Sequence, residues 1–160
     1  MKIVFLDRDG VLNVDTGYPH DPSALQLLPG VPEQLRRLDE AGFTLVIVSN
    51  QSGVGRGYFT REQARSFNEE LIAQIALRGG PFINEIYMCY HIPQDKCGCR
   101  KPEPGMLLEA VSLLEVDIAD CYMIGDNGID LVAGMEAGCR KSYQATNNLD
   151  QIVTSILEDQ

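Results

Sequence analysis

The chain alternates between short, nearly continuous apolar runs and longer stretches in which apolar residues recur every three or four positions. Runs of the first kind read as strands buried on both faces of a parallel sheet, and stretches of the second kind as amphipathic helices. Lys2-Ile3-Val4-Phe5-Leu6 predicts the first strand, and Phe43 to Val48, running on into Ser49-Asn50, the second. Ile83 to Met88 predicts a third, interrupted by Asn84 and Glu85, and Cys121 to Ile124 a short fourth. Between them, Gly30-Val31-Pro32 opens a helix with Leu35 and Leu38 on one face, stopped at Gly42. Thr60 starts a second helix, with Gln63 at the capping-box position and a stripe of Phe67, Leu71, Ile75 and Leu77. Pro104 begins a third, with Met106, Leu107, Ala110, Val111 and Leu114 facing inward. Gly128–Ala137, ended by Gly138, and Leu149–Leu157 complete the set.

Strand and helix alternating in this way predict a doubly wound, Rossmann-like α/β fold: a parallel sheet covered on both faces. The 160 residues suit a single domain, 1–160, with no separate cap. In such sheets ligands bind outside the carboxyl ends of the strands, at a switch in strand order. Asp7, Ser49 and Asp126 each stand at a predicted strand end. Three long connections surround those ends: Arg8–Pro29, Gln51–Phe59 and Cys89–Glu103. The first exceeds the usual strand-to-helix loop, which marks it as a place for function. The lone His20 reads as a surface residue of the first.

The formal net charge of -10 argues against nucleic acid or an anionic membrane as partner. No apolar run approaches the ~20 residues that span a bilayer, and the first residues read as a strand rather than a signal peptide. A cytoplasmic monomer is the expectation. In a reducing compartment the five cysteines are no disulfide framework. Cys121 and Cys139, in apolar surroundings, read as small buried hydrophobes.

Asp7 and Asp9 lie two apart, so both side chains leave an extended backbone on the same side. With Asp126 they form a site for Mg²⁺, a hard cation that prefers carboxylate oxygens and commonly sits beside phosphate. Ser49 and the loop beginning Asn50, Gln51 and Ser52 offer hydroxyl and backbone groups to phosphate oxygens. Arg100 and Lys101 offer a guanidinium and an ammonium to the same group. These parts fit phosphoryl transfer to a carboxylate: Asp7 attacks, and Asp9 serves first as acid and then as base. Asp15, Thr16, Gly17 and Tyr18 present polar groups suited to sugar hydroxyls, and Arg56 a cation for a second phosphate. Arg8 and Asn127, beside the acidic residues, complete the expected substrate contacts. A second constellation, Cys89, His91, Cys97 and Cys99, suits a closed, structural Zn²⁺ site. It would anchor a segment poor in apolar residues and fix Arg100 and Lys101, which follow its last ligand.

Asp7-x-Asp9-Gly10-Val11, Ser49-Asn50, Lys101 and Gly125-Asp126 with Asp130 resemble, in order and spacing, the four motifs of the haloacid dehalogenase superfamily. The resemblance implies Mg²⁺ held by the Asp7 side chain, the Asp9 backbone carbonyl and Asp126, with Asp130 supporting the site. The cysteine-rich loop narrows it to the zinc-bearing branch whose members remove phosphate from a heptose bisphosphate or from histidinol phosphate. Asn13-Val14-Asp15-x-Gly17-Tyr18, Ser49-Asn50-Gln51-Ser52-Gly53 and Cys99-Arg100-Lys101-Pro102 resemble the heptose enzymes, which makes a heptose bisphosphate the expected substrate. Two features depart from them: a short His91–Cys97 loop, and Asn127 where those enzymes usually carry a Lys. Outside the enzymes, a phospho-accepting receiver domain also places Asp and Lys at strand ends. Such a domain has no use for a second Asp set as acid and base.

Overall fold

The computed structural model describes residues 1–146 and 148–160. Its centre is one parallel sheet of five strands: β1 (Lys2–Leu6), β2 (Phe43–Asn50), β3 (Glu85–Cys89), β4 (Tyr122–Gly125) and β5 (Lys141–Gln144). Their order is β3-β2-β1-β4-β5, with β1 in the middle. The chain first adds strands to one side of β1 and then returns to add β4 and β5 on the other. The switch point therefore lies between β1 and β4, beyond which Asp7 and Asp126 emerge. A flavodoxin-type receiver places its third strand next to the first. Here β4 takes that place, which removes the receiver reading.

Residues alternate between two cores as each strand's side chains point to opposite faces. Val4, Leu6, Leu45, Ile47 and Ile124 face one core, closed by α1 (Val31–Glu40), α3 (Arg61–Leu77) and α6 (Asp150–Glu158). Ile3, Phe5, Val46, Val48 and Met123 face the other, closed by α4 (Gly105–Leu114) and α5 (Gly128–Ala137). Because both faces are covered, β1 shows no polar alternation, which is why its sequence reads as a continuous apolar run. α3 opens with the expected capping box: the Gln63 N–H donates to Thr60 Oγ1 at 3.1 Å, and the Thr60 N–H to Gln63 Oε1 at 2.9 Å.

Four expectations need correction. β5 was not foreseen, because Lys141-Ser142-Tyr143-Gln144 is a polar edge strand without an apolar run. The Gln51–Phe59 loop contains one helical turn, α2 (Ser52–Gly55). Leu77 ends α3 pointing to solvent. Cys121 is buried as expected, whereas Cys139 is only partly so. Among the described residues no helix is long and apolar enough to cross a membrane.

Candidate active site and thiolate cluster

The end of β1 is held against β4 by the Asp7 N–H, which donates to the Ile124 carbonyl at 2.9 Å. Into this corner comes Lys101, buried, its Nζ 2.8 Å from Asp7 Oδ1 and 2.6 Å from Asp130 Oδ1. A third bond at 2.9 Å goes to the Val48 carbonyl. Burial works against this ammonium, but the two carboxylates outweigh it and its pKa is raised. Burial also pushes the Asp7 carboxyl up to about 7, with Lys101 pulling the other way and Asp130 adding to the rise. The Asp126 carboxyl is raised as well, by burial and then by Asp130.

Oxygens of Asp7, Asp126 and Asp130 lie within 4.8 Å of one another. One ammonium cannot neutralise three carboxylates, so the donor set fits a hard divalent cation. Asp130 is already engaged at both oxygens, by Lys101 and by the Asn127 N–H at 3.1 Å. Asp7 and Asp126 are the residues left to face an ion. Gly10 lets them close: it sits at φ +83°, and a Cβ there would run into the Asp126 carboxylate.

Asp9 points away from that cluster. Its carboxylate accepts a fork from Arg8 (Nε 2.8 Å, Nη2 3.2 Å), a bond from Asn13 Nδ2 at 3.0 Å and one from Gln51 Nε2 at 3.0 Å. A role for Asp9 in holding a cation would thus fall to its backbone carbonyl. Gln51 Nε2 also donates to Ser49 Oγ at 2.8 Å.

Four residues expected at the substrate are committed elsewhere, Gln51 among them through its bonds to Asp9 and Ser49. Arg8 is fully buried over the Phe67 ring, 4.4 Å from its centroid, and bonded to Asp9, to Asn68 Oδ1 and to the Pro19 carbonyl. Asn50 clamps the backbone of Lys101, donating to its carbonyl and accepting from its N–H, both at 3.0 Å. Asn127 caps α5, its Oδ1 accepting from the Ile129 N–H. Asn68 was missed altogether; its only signal was a polar residue beside Phe67 on the apolar stripe of α3.

The two loops over the strand ends are zipped together. Tyr18 meets Tyr58 edge-on at 5.0 Å, and His20 stacks on Phe59 at 4.7 Å with its Nδ1 on the Tyr18 carbonyl. His20 is a partly exposed loop residue, as expected, and these contacts pin it. Asp15 accepts from the Gly17 N–H at 2.9 Å, Thr16 lines a small cavity with Gly17 and Tyr18, and Arg56 bonds Ser52 Oγ at 3.3 Å. Arg100 lies apart from the acidic corner, its guanidinium on the His91 carbonyl. A groove of about 660 Å³ between α3 and β3 is lined by none of the strand-end acids. Convergent chemistry, not concavity, locates the site.

The second constellation assembles as expected. Sulfur–sulfur distances among Cys89, Cys97 and Cys99 are 3.1, 3.6 and 3.7 Å, and His91 Nδ1 lies 3.3 and 3.5 Å from Cys99 and Cys89. With metal–sulfur bonds of about 2.3 Å and a metal–nitrogen bond near 2.05 Å, tetrahedral edges are about 3.8 and 3.6 Å. The donors fit a four-coordinate thiophilic cation, slightly contracted. Burial pushes the Cys89 thiol well up, so thiolates here call for a positive partner.

A doubly wound sheet with an acidic, lysine-paired corner at the β1/β4 switch defines the HAD-like class. The Hydrolase_like family model (HAD-hydrolase-like) matches residues 98–150. A D-glycero-beta-D-manno-heptose-1,7-bisphosphate 7-phosphatase of Haemophilus ducreyi is 42% identical over 145 residues, covering 87% of this chain and 80% of that protein. The enzyme of the same name from Yersinia pestis is 45% identical over 141 residues, covering 84% and 74%. The crystal structure of D,D-heptose 1,7-bisphosphate phosphatase from B. bronchiseptica, complexed with magnesium and phosphate, superposes with a TM-score of 0.90 at 31% identity over 100% of both chains. The chain belongs to this heptose-bisphosphate phosphatase family of HAD-like hydrolases.

Proposed function

We propose that the chain is a Mg²⁺-dependent phosphatase that removes the 7-phosphate of D-glycero-beta-D-manno-heptose 1,7-bisphosphate, leaving heptose 1-phosphate. The carrying observation is Asp7, buried and ion-paired to Lys101 beside Asp126, with Asp9 two residues on. Asp7 attacks phosphorus while the bond to the sugar oxygen breaks, and Asp9 supplies that oxygen with a proton. Asp9 then takes a proton from the water that attacks the aspartyl phosphate, releasing phosphate and freeing Asp7. Ser49 and Lys101 hold the phosphoryl oxygens as charge shifts onto them. Asp7, Asp126 and the Asp9 carbonyl would hold Mg²⁺, which supplies the positive charge that favours ionised Asp7 and offsets the phosphoryl oxygens. The Cys89, His91, Cys97 and Cys99 cluster would hold a structural Zn²⁺. Asp15, Thr16, Gly17 and Tyr18, with Arg56 and Arg100, provide the polar groups for the sugar and its second phosphate.

This reading takes 1–160 as one catalytic domain without a cap, working as a cytoplasmic monomer on a soluble metabolite. The relatives' names favour the heptose substrate over histidinol phosphate. Phosphate release with Mg²⁺ should give a kcat/KM at least about tenfold higher on the heptose bisphosphate, roughly 1.4 kcal/mol of transition-state binding. Asp7→Asn should abolish it, since an amide of the same shape cannot form the acyl phosphate. Equal or faster turnover of histidinol phosphate would overturn the substrate assignment, and activity surviving in Asp7→Asn the nucleophile.

A further inference from the structure

Gln51 is buried, at 3% exposure. Both hydrogens of its Nε2 are placed: one on Ser49 Oγ at 2.8 Å, the other on Asp9 Oδ2 at 3.0 Å. The orientation of the amide follows from these partners, because the opposite flip would set its carbonyl oxygen against the Asp9 carboxylate. Its backbone is held too, the N–H donating to the Cys89 carbonyl at 2.7 Å.

Two consequences follow from that geometry. A hydroxyl has one hydrogen to give and two lone pairs to receive. With Gln51 filling a lone pair of Ser49, the Ser49 hydrogen remains to be donated to a phosphoryl oxygen. Asp9, on the other nitrogen–hydrogen bond, is set at a fixed distance from that same hydroxyl. One side-chain nitrogen thus ties the group that holds the phosphoryl oxygens to the group that handles the leaving oxygen's proton. Arg8 and Asn13 also bond Asp9, but neither touches Ser49.

We propose that Gln51 is a positioning residue that sets the acid–base carboxylate of Asp9 against the phosphoryl-binding hydroxyl of Ser49, so that its loss falls chiefly on protonation of the leaving group. The proposal rests on the phosphatase reading above.

The test exploits the leaving group. A p-nitrophenyl ester departs as a stabilised phenolate and needs little help from an acid. An alkyl ester such as a sugar phosphate needs the proton. The quantity to measure is kcat/KM, which reports the steps up to release of the alcohol and is untouched by later hydrolysis of the aspartyl phosphate. Gln51→Met keeps the length of the side chain and removes both donors. With Mg²⁺ present, it should lose about 10²-fold on the heptose bisphosphate, within the range for one acid–base group. On p-nitrophenyl phosphate it should lose no more than about a tenth as much, about 10-fold. A thermal melt confirms that the variant is folded. If it is not, Gln51→Asn, which keeps an amide too short to bridge both partners, should show the same split. Equal losses on the two esters, or none on the alkyl ester, would overturn the positioning role while leaving the phosphatase reading intact. A wild-type protein that hydrolyses neither ester would overturn both.

Discussion

Lys101 ties the acidic corner together through its ion pairs, and the proposed mechanism also has it hold the phosphoryl oxygens. Lys101→Met replaces the ammonium by an apolar chain of similar length, so little packing volume is lost. What remains is Asp7 and Asp130, both buried and both without the cation that stood 2.8 and 2.6 Å away. Removing one partner from a buried ion pair costs about 3–5 kcal/mol. For a chain of this size that corresponds to a fall in Tm of about 6–20 °C. Activity should fall about 10²- to 10³-fold, as for loss of one group that holds charge in the transition state.

The pH dependence separates this mechanism from a simple packing defect. In the wild-type protein without Mg²⁺, the Asp7 carboxyl titrates at about 7, above its ordinary value of 3.8. A raised folded pKa gives stability that is fully present below the ordinary value and is lost as pH rises through the folded one. Stability of the Mg²⁺-free protein should therefore decline between about pH 4 and about pH 7. The Lys101 pKa is raised above 10.5, so the ammonium stays charged and its contribution persists across this window. Without it the Asp7 carboxyl moves higher still, and below neutrality the variant can protonate Asp7 to relieve the repulsion. Scanning calorimetry at pH 5.5 and pH 8, without Mg²⁺ and without chelator, should show a clearly smaller deficit at the lower pH. A deficit under about 3 °C at pH 8, less than the buried-pair loss allows, would refute the reasoning. So would one of equal size at the two pH values.

Two further perturbations probe the rest of the site. Cys97→Ser should lower the zinc content of purified protein below about one per chain, measured by atomic absorption, and reduce activity through the displaced Lys101. Full activity in a zinc-free preparation would show that the cluster does not position the lysine. Gly10→Ala places a Cβ on the Asp126 carboxylate at a backbone φ of +83°. It should raise the Mg²⁺ concentration needed for half-maximal activity at least about tenfold, about 1.4 kcal/mol of affinity, whereas an unchanged Mg²⁺ titration would mean that Asp126 has no part in holding the ion.

The strands that form the centre of the sheet were legible because burial on both faces leaves no room for polar residues, as in Lys2–Leu6 and Phe43–Val48. β5 was not, since an edge strand covered on fewer sides can be polar throughout. At the site, residue types that chemistry requires at strand ends were visible: Asp7, Asp9, Ser49, Asp126 and the thiolate cluster. Direction was not visible. Arg8 and Asn50 have the polarity of substrate ligands, yet the fold turns one into the core and the other onto the Lys101 backbone. A sequence records which groups are available. Only the path of the chain decides whether they face a ligand or one another, and Asn68, sixty residues away from Arg8, shows how far apart such partners lie.

The position of the thiolate cluster follows from a weakness in the sheet. β3 is an edge strand, and of its residues only Cys89 is buried. From Cys89 to Pro104 the chain buries just Cys89 and Lys101, so no apolar core holds the excursion that delivers the lysine. Its two ends must be fixed by polar means. At the start, Cys89, His91, Cys97 and Cys99 gather their donors within 4.8 Å, and the Gly105 N–H bonds the Gly98 carbonyl at 3.0 Å to draw the start of α4 onto the same loop. At the end, Asn50 grips the Lys101 backbone while Asp7, Asp130 and Val48 receive its ammonium. Gln51 links the start of the excursion to Ser49 and Asp9, bonding the Cys89 carbonyl through its backbone and those two through its side chain. A strain at the cluster would thus reach Asp9 by two routes: through Lys101 and Asp7, and through Gln51.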